Sequence, residues 1–331
     1  MKILVTGSAG HLGEALVRSL HRAGHEVIGL DILASPFTQV VGSIVDRQTV
    51  RGCMAGVQAV LHTATLHKPH VATHAKQDFI DTNTTGTLNL LEEAAAHGIG
   101  AFVFTSTTST FGRALSPSAD APAAWITEDV VPIPKNIYGV TKLAAENLCE
   151  LFAHKHQLPC MVLRTSRFFP ENDDNKDTRS AFDDANAKAN ELLYRRADID
   201  DIVSAHLLAM DKLMQHSHAL RCERYIISAT SPFAPTDLAQ LRINAPAVLA
   251  GYFVDYPSLY AQRGWKMFAS IDRVYANERA RAELGWQPRY DFAHVLACLR
   301  QGVDFRSPLS KLVGSKGYNT EVFEDGPFPV E

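Results

Sequence analysis

Lys2-Ile3-Leu4-Val5-Thr6-Gly7-Ser8-Ala9-Gly10-His11-Leu12-Gly13, continued by EALVRSLHRAG from Glu14 to Gly24, sets an apolar run, three glycines and an amphipathic stretch in immediate succession. The run reads as a buried strand, and the stretch reads as a helix stopped at Gly24. Glycines at G-x-x-G-x-x-G spacing imply a tight turn at Gly7, close approach of another group at Gly10, and close helix-strand packing at Gly13. The free N–H groups at the positive end of such a helix suit a diphosphate. A glycine triplet alone is equally compatible with a turn that holds nothing. What argues for a ligand is Asp31, eighteen residues past Gly13 at the end of EVIGLDI. A carboxylate there can accept hydrogen bonds from the ribose diol of a dinucleotide. It would repel a 2′-phosphate, and Ile32 follows it instead of an arginine, so NAD is expected over NADP.

Working outward, KILVT, EVIGL, TQVVG, QAVLHT, AFVFTS and CMVLRTS read as strands, with helix-period segments such as TTGTLNLLEEAAAHG between them. Near-continuous apolar strands alternating with helices predict an α/β fold: a Rossmann-type, doubly wound parallel sheet covered on both faces. The pattern changes near residue 167. FFPENDDNKDTRSAFDDANAKANE reads as a loop or short helix, ADIDDIVSAHLLAMDKL as an Asp-capped helix starting near Asp201, and RYIIS as a further strand. NERARAELGWQPRYDFAHVLACLRQG reads as two helices joined by a Gly/Pro turn. The expected organisation is residues 1–166 as the dinucleotide-binding unit, with a strand and helix near 200–230 returning to it. Residues 167–306 are expected to form a small C-terminal substrate-binding subdomain, and 307–331 a loosely held tail.

With 331 residues, a formal charge of −4 and 46% hydrophobic residues, the chain has neither the basic excess of a nucleic-acid partner nor an apolar run that could span a membrane. No signal peptide is expected, and the five widely spaced cysteines suit a reducing, cytoplasmic setting.

The second chemical signal is Tyr138-Gly139-Val140-Thr141-Lys142. On a helix, side chains four residues apart share a face, so the ammonium can approach the phenol and favour phenolate. That would make a general base for an alcohol losing hydride from its carbon. FVFTSTTSTFG ends a strand in a hydroxyl-rich loop at the carboxyl edge of the sheet, where ligands bind in such folds. There Thr107, Thr108 or Ser109 can hydrogen-bond the reacting oxygen, although such a run also serves as a plain solvated loop.

Taken in order, these segments resemble the NAD-dependent epimerase/dehydratase family of the extended short-chain dehydrogenase/reductase superfamily, in particular its nucleotide-sugar 4-epimerases. The resemblance runs from Met1 to about Leu299. TGSAGHLG is similar to the phosphate loop, VLHTAT to the segment lining the cofactor, NTTGTLNLLEEA to an Asn-initiated helix, YGVTK to the catalytic pair, and ELGWQPRYDF to a C-terminal signature. It implies Tyr138 as base, Lys142 as its tuner and nicotinamide-ribose contact, and Thr107 as the catalytic hydroxyl. It further implies NAD contacts from Gly7, Gly10, His11, Leu12, Gly13, Asp31, Ile44, Thr63, Ala64, Thr65 and Asn83. Ser43 stands where the family often has Asp at the adenine, which weakens one contact. Asp198 to Asp201 resemble a structural cap.

Sugar epimerisation with NAD retained is the reaction this implies. Only about two dozen residues separate Pro170 from Arg195, little material for a nucleotide pocket, so net oxidation or reduction of a small carbohydrate or hydroxy acid is the alternative. Arg167, with Arg179 or Arg196, either clamps a substrate carboxylate or phosphate or pairs with the many nearby acids. His67 and Lys68 are expected near the nicotinamide. A non-catalytic NAD-binding scaffold would predict a broken Tyr138–Lys142 pair, and both residues are present. The spacing of His67, His70 and His74 is not completed by a Cys or acid, so no metal is expected. The apolar faces of LNLLEEAAAHG and KLAAENLCELFAHK are compatible with a homodimer through a four-helix bundle, as in relatives, and equally with packing on the sheet.

Overall fold

The computed structural model describes residues 1–118, 120–216 and 222–317. The apolar runs become β1 (Lys2–Thr6), β2 (Glu26–Asp31), β3 (Val40–Val41), β4 (Ala59–His62), β5 (Ala101–Thr107), β7 (Cys160–Thr165) and β8 (Glu223–Ile227); β6 (Ala124–Ile126) and β9 (Arg273–Tyr275) lie apart. The first seven form one sheet in the order β3-β2-β1-β4-β5-β7-β8, with neighbouring strands parallel throughout. Alternate residues face opposite sides of a strand. Ile3, Val5, Leu61, Val103 and Leu163 therefore join one apolar cluster, while Leu4, Val60, Phe102, Phe104 and Val162 join the other. Both faces are buried, which is why these strands read as unbroken apolar runs.

The helices are α1 (His11–Arg22), α2 (Arg47–Cys53), α3 (Lys76–Phe79), α4 (Gly86–Ala96), α5 (Ile137–His156), α6 (Lys176–Ala181), α7 (Asp184–Glu191), α8 (Ile199–His216), α9 (Leu238–Tyr252), α10 (Tyr256–Gln262), α11 (Phe292–Gln301) and α12 (Pro308–Val313). Helices α1, α8 and α12 cover one face, and α2, α4 and α5 the other. A third apolar cluster unites α7, α9, α10 and α11 with Ala123 and Val274, so chain from the first expected unit also packs into the second. β6 and β9 pair in a separate ladder. At three residues each they were too short to show an alternation.

Three expectations change. Asn83 does not start a helix: it lies in a π-helical turn, Ile80–Thr85, that joins α3 to α4. Helix α8 starts at Ile199 instead of near Asp201, with Asp198 accepting the N–H of Asp200 at 2.8 Å. Asp201 instead receives the N–H groups of Arg289 (2.9 Å) and Tyr290 (3.0 Å), tying α8 to the turn before α11. The segment after Ser307 is not loosely held over its described part. Ser307 caps α12, Leu309 and Val313 are buried against α1 and α8, and the chain continues to Gly317 along the sheet's carboxyl edge. The rest of the expected tail lies outside the described residues.

Candidate active site

A cavity of about 820 Å³ opens along the carboxyl edge of β1, β2, β4, β5 and β7. The glycine loop forms one end. Gly7 has φ +73°, a left-handed conformation that favours glycine, and a Cβ there would meet Ala64 N at 2.8 Å. A Cβ on Gly13 would lie 1.9 Å from the Gly7 carbonyl oxygen, so only glycine lets α1 start this close to β1. Gly10 is the N-cap of α1 and offers no side-chain acceptor to the first N–H groups of the helix. Asp31, on the same wall, accepts Ala9 N–H and Leu33 N–H, both at 2.9 Å, through separate oxygens that each keep a lone pair. An uncapped helix start beside an acid at the end of β2 fits a dinucleotide, with the diphosphate at the helix and a ribose on Asp31.

His11, Leu12, Ser43, Ile44, Thr63, Ala64 and Thr65 all line this end. His11 stacks on Phe168 at 6.0 Å, and both its ring nitrogens are buried without a partner. Burial pushes its imidazole down to about 4, so the ring is neutral. Thr63 donates its hydroxyl to Thr6 O at 2.7 Å.

Asn83 is a correction. It is absent from the cavity wall and buried, and all its hydrogen-bonding capacity is occupied. Its Oδ1 accepts from Leu66 N–H and the Thr65 hydroxyl, and its Nδ2 donates to Leu66 O and the Thr141 hydroxyl. It ties the loop after β4 to α5 and leaves nothing to offer a cofactor.

At the centre, Asn136 caps α5 by accepting Gly139 N–H at 3.1 Å, placing Tyr138 in the first helical turn and Lys142 one turn later, both buried and both on the wall. Thr107 ends β5, accepts Ser109 N–H at 3.1 Å and hydrogen-bonds the Tyr138 phenol through its hydroxyl. Thr108 and Ser109 follow in a 3₁₀ turn and also line the cavity. In this arrangement other groups engage Lys142. Its ammonium donates to Thr105 O at 2.6 Å and lies 4.0 Å over the Phe104 ring. Burial pushes Lys142 down to about 7 and Tyr138 up to about 12, the latter despite the bond from Thr107. Burial dominates both shifts, so the phenol is held protonated in this arrangement.

The third region holds the expected substrate residues. His67 lines the cavity with its ring centroid 6.2 Å from that of Tyr138, and burial pushes it down to about 3. Lys68 lines it too and donates to Asp174 at 2.6 Å. Arg167 is on the wall but is bound to Asp173 at 2.7 Å, with Glu191 at 3.4 Å and Asp174 at 3.5 Å. Arg196 and Arg179 are not on the wall. Arg196 binds Glu191 (2.6 Å) and Phe169 O (2.8 Å), and Arg179 binds Asp173 O (2.7 Å). Burial alone would raise Glu191, but Arg196, Arg195 and Arg167 overcome it and hold that carboxyl well below its usual range.

Several wall residues carried no sequence signal: Glu171, Arg195, Arg273, Tyr275, Lys316 and Gly317. The last two arrive with the C-terminal segment. Glu171 Oε1 accepts the Ser315 hydroxyl at 2.7 Å and the N–H groups of Lys316 and Gly317 at 3.3 Å, while the Lys316 ammonium pairs with Glu14 of α1. Among the described residues no helix is long and apolar enough to cross a membrane.

Known proteins resemble this chain in sequence and in fold. Over 75% of this chain and 77% of the relative, the sequence is 31% identical to 2-alkyl-3-oxoalkanoate reductase of Stenotrophomonas maltophilia (strain K279a). It is 26% identical to UDP-glucose 4-epimerase of Rhizobium meliloti (strain 1021), over 88% of this chain and 94% of that one. A short-chain dehydrogenase/reductase superfamily protein of Agrobacterium tumefaciens, solved with bound NAD, shares the fold with a TM-score of 0.63 at 24% identity, covering 94% of this chain and 99% of its own. The profile of the NAD dependent epimerase/dehydratase family spans residues 3–225, the stretch that supplies the glycine loop, Thr107, Tyr138 and Lys142. By that match the chain belongs to the NAD-dependent epimerase/dehydratase family, as an enzyme whose cofactor is NAD.

Proposed function

We propose that the protein transfers hydride between NAD and the carbinol or carbonyl carbon of a small molecule, with Tyr138 handling the proton. The observation that carries this is the meeting of Thr107, Tyr138 and Lys142 on one wall of the cavity that also holds the glycine loop. NAD, when bound, accepts or supplies the hydride. Gly10, His11 and Leu12 at the start of α1 would hold its diphosphate, and Asp31 a ribose. Tyr138 would donate its proton to a carbonyl oxygen in reduction and take it back in oxidation. Thr107 orients the phenol, and Thr108 and Ser109 border the reacting oxygen. Lys142 would meet the nicotinamide ribose.

Net reduction or oxidation of a small oxo or hydroxy compound is the reading the substrate side supports best. The stretch from Phe169 to Arg196 folds on itself through Asp173, Asp174 and Glu191, so the expected clamp of Arg167, Arg179 and Arg196 is already occupied. The oxoacid reductase relative points the same way. Sugar epimerisation is the second reading, supported by the alignment over almost the whole Rhizobium epimerase.

A substrate panel with NADH decides between them. Stoichiometric loss of NADH absorbance with a 3-oxo acid supports net reduction, whereas interconversion of UDP-glucose and UDP-galactose without NADH change supports the epimerase. Tyr138→Phe should lower turnover by about 10²–10⁴-fold and leave the NAD dissociation constant unchanged. Full activity in that variant removes the phenol from the mechanism. A homodimer is part of this reading, supported by the exposed Ile80, Val140 and Leu151 on the π-turn and α5, and so is a reducing compartment, supported by five free, buried cysteines.

A further inference from the structure

The first turn of α1 carries more acid than a diphosphate site tolerates. Glu14 lies one turn past Gly10, whose carbonyl accepts its N–H at 2.9 Å, and helical side chains lean toward the helix start. The Glu14 side chain is 3% exposed, and its Oε1 accepts from Arg18 Nε at 2.7 Å. Glu171 shares the cavity wall with Gly10, His11 and Leu12. Burial apart, the charges acting on the His11 imidazole are those of Glu171, Lys316, Glu14 and Arg196, so two acids surround this turn. Like charges at such range oppose an anion, and both acids need a counter-charge before a diphosphate can sit on the N–H groups of the helix.

The carboxyl-terminal segment supplies it. Helix α12 packs on α1, and Gly314, with φ +63°, turns the chain out of α12 so that residues 315–317 run past the start of α1. Glu171 Oε1 accepts the Ser315 hydroxyl and the N–H groups of Lys316 and Gly317, and the Lys316 ammonium pairs with Glu14 Oε2. An ammonium has three N–H groups, and among the described residues Glu14 is its one acceptor. The Lys316 side chain is 33% exposed and lies on the cavity wall, where a ligand can reach it. The other two cations of this turn face elsewhere: Arg18 stacks on Phe37 at 4.5 Å, Arg196 is bound to Glu191 and Phe169 O, and neither is on the wall.

We propose that Lys316 is a cofactor-binding residue: its ammonium offsets Glu14 and donates to a diphosphate oxygen of NAD, beside the N–H groups of α1. This rests on the reading that places the diphosphate at the start of α1, and it adds a charged contact brought there from the far end of the chain.

The test is calorimetric titration of NAD, ADP-ribose and adenosine into the wild type, Lys316→Met, Lys316→Arg and Glu14→Gln, at low and at high salt. Lys316→Met should bind NAD and ADP-ribose about three- to fivefold more weakly, the range of a solvent-screened charge pair. The difference should shrink at high salt, adenosine should not distinguish the proteins, and Lys316→Arg should restore most of the affinity. Glu14→Gln breaks the same contact but frees the ammonium and removes an acid, so it should bind NAD at least as tightly as the wild type. A tie that only anchors the segment predicts the opposite, with Glu14→Gln and Lys316→Met weakened alike. That result overturns the assignment, as does unchanged NAD affinity in Lys316→Met or an equal loss for adenosine; Lys316→Met and Lys316→Arg decide the matter even where Glu14→Gln is unstable. The placement of the diphosphate is read separately: if the wild type binds adenosine as tightly as ADP-ribose, the diphosphate contributes nothing at α1, and the placement falls together with the role of Lys316.

Discussion

Adding one methyl group at Gly13 or at Gly10 should separate the two tasks of the amino-terminal loop. In Gly13→Ala the new Cβ would sit 1.9 Å from Gly7 O, 2.6 Å from Gly7 C and 2.8 Å from Ser8 Cα, all backbone atoms that cannot swing aside. Restoring ordinary contact near 3.5 Å requires α1 to retreat by about 1.5 Å. That helix buries Leu12, Ala15, Leu16, Val17 and Leu20 in the cluster beneath it, so the retreat loosens a packed face. The cost should be about 3 kcal/mol, the upper end of overpacking penalties. In Gly10→Ala the nearest atom is Gly7 O at 3.1 Å, and φ is an ordinary −73°. A shift of a few tenths of an ångström accommodates it, at about 1 kcal/mol or less. The methyl group, however, projects at the start of α1 on the cavity wall. Urea denaturation and NAD calorimetry read the two effects. Gly13→Ala should lose stability, and Gly10→Ala should stay near wild-type stability with NAD affinity at least tenfold weaker. If Gly13→Ala unfolds at the wild-type urea concentration, or if Gly10→Ala binds NAD normally, the division of labour is wrong.

Other perturbations test other parts. Asn83→Ala leaves Leu66 N–H and O and the Thr65 and Thr141 hydroxyls without this partner; a loss of about 2–3 kcal/mol in urea stability is expected, and no loss would mean the loop after β4 holds itself. The folded-state pKa of Glu191 lies below an unfolded value of about 4.3. Its contribution is therefore complete above that pH and is lost as pH falls below it, and Glu191→Gln should flatten the acid limb of the stability profile below about pH 4 while costing about 3–5 kcal/mol at neutral pH. Deleting residues 315–331 removes the three donors to Glu171 and the Lys316–Glu14 pair, so NAD should bind several-fold more weakly by calorimetry. Unchanged affinity would mean that this segment only borders the cavity.

The local order of the chain announced its own fold. Strands buried on both sides must be apolar along their length, and β1, β4, β5 and β7 could be read from that alone. The glycine loop was readable because positive φ and close backbone approach restrict residue choice at the position itself. Tyr138 and Lys142 were readable because a helix fixes the relation of residues four apart. Each of these inferences spans a single element or the junction of two.

The failures all lie where distant segments meet. Asn83 passed for a cofactor contact because its type and position suited one, yet Leu66 and Thr141 take its amide. For Arg196 the linear chain left an anion clamp and pairing with the nearby acids equally open, and Glu191 and Phe169 O take it. Lys142 was expected beside the phenol of Tyr138 as its tuner, but its ammonium bonds Thr105 O, and burial pushes the phenol up. Arg273 and Lys316 had no local pattern to mark them. They reach the cavity on a three-residue strand and on a segment 302 residues from the helix it touches. Local propensity and periodicity act over a few residues, so the order of strands, the glycine turn and the catalytic pair can be inferred from the linear chain. Which polar groups pair, and how much water each one loses, depends on surfaces that exist only once remote segments have packed together.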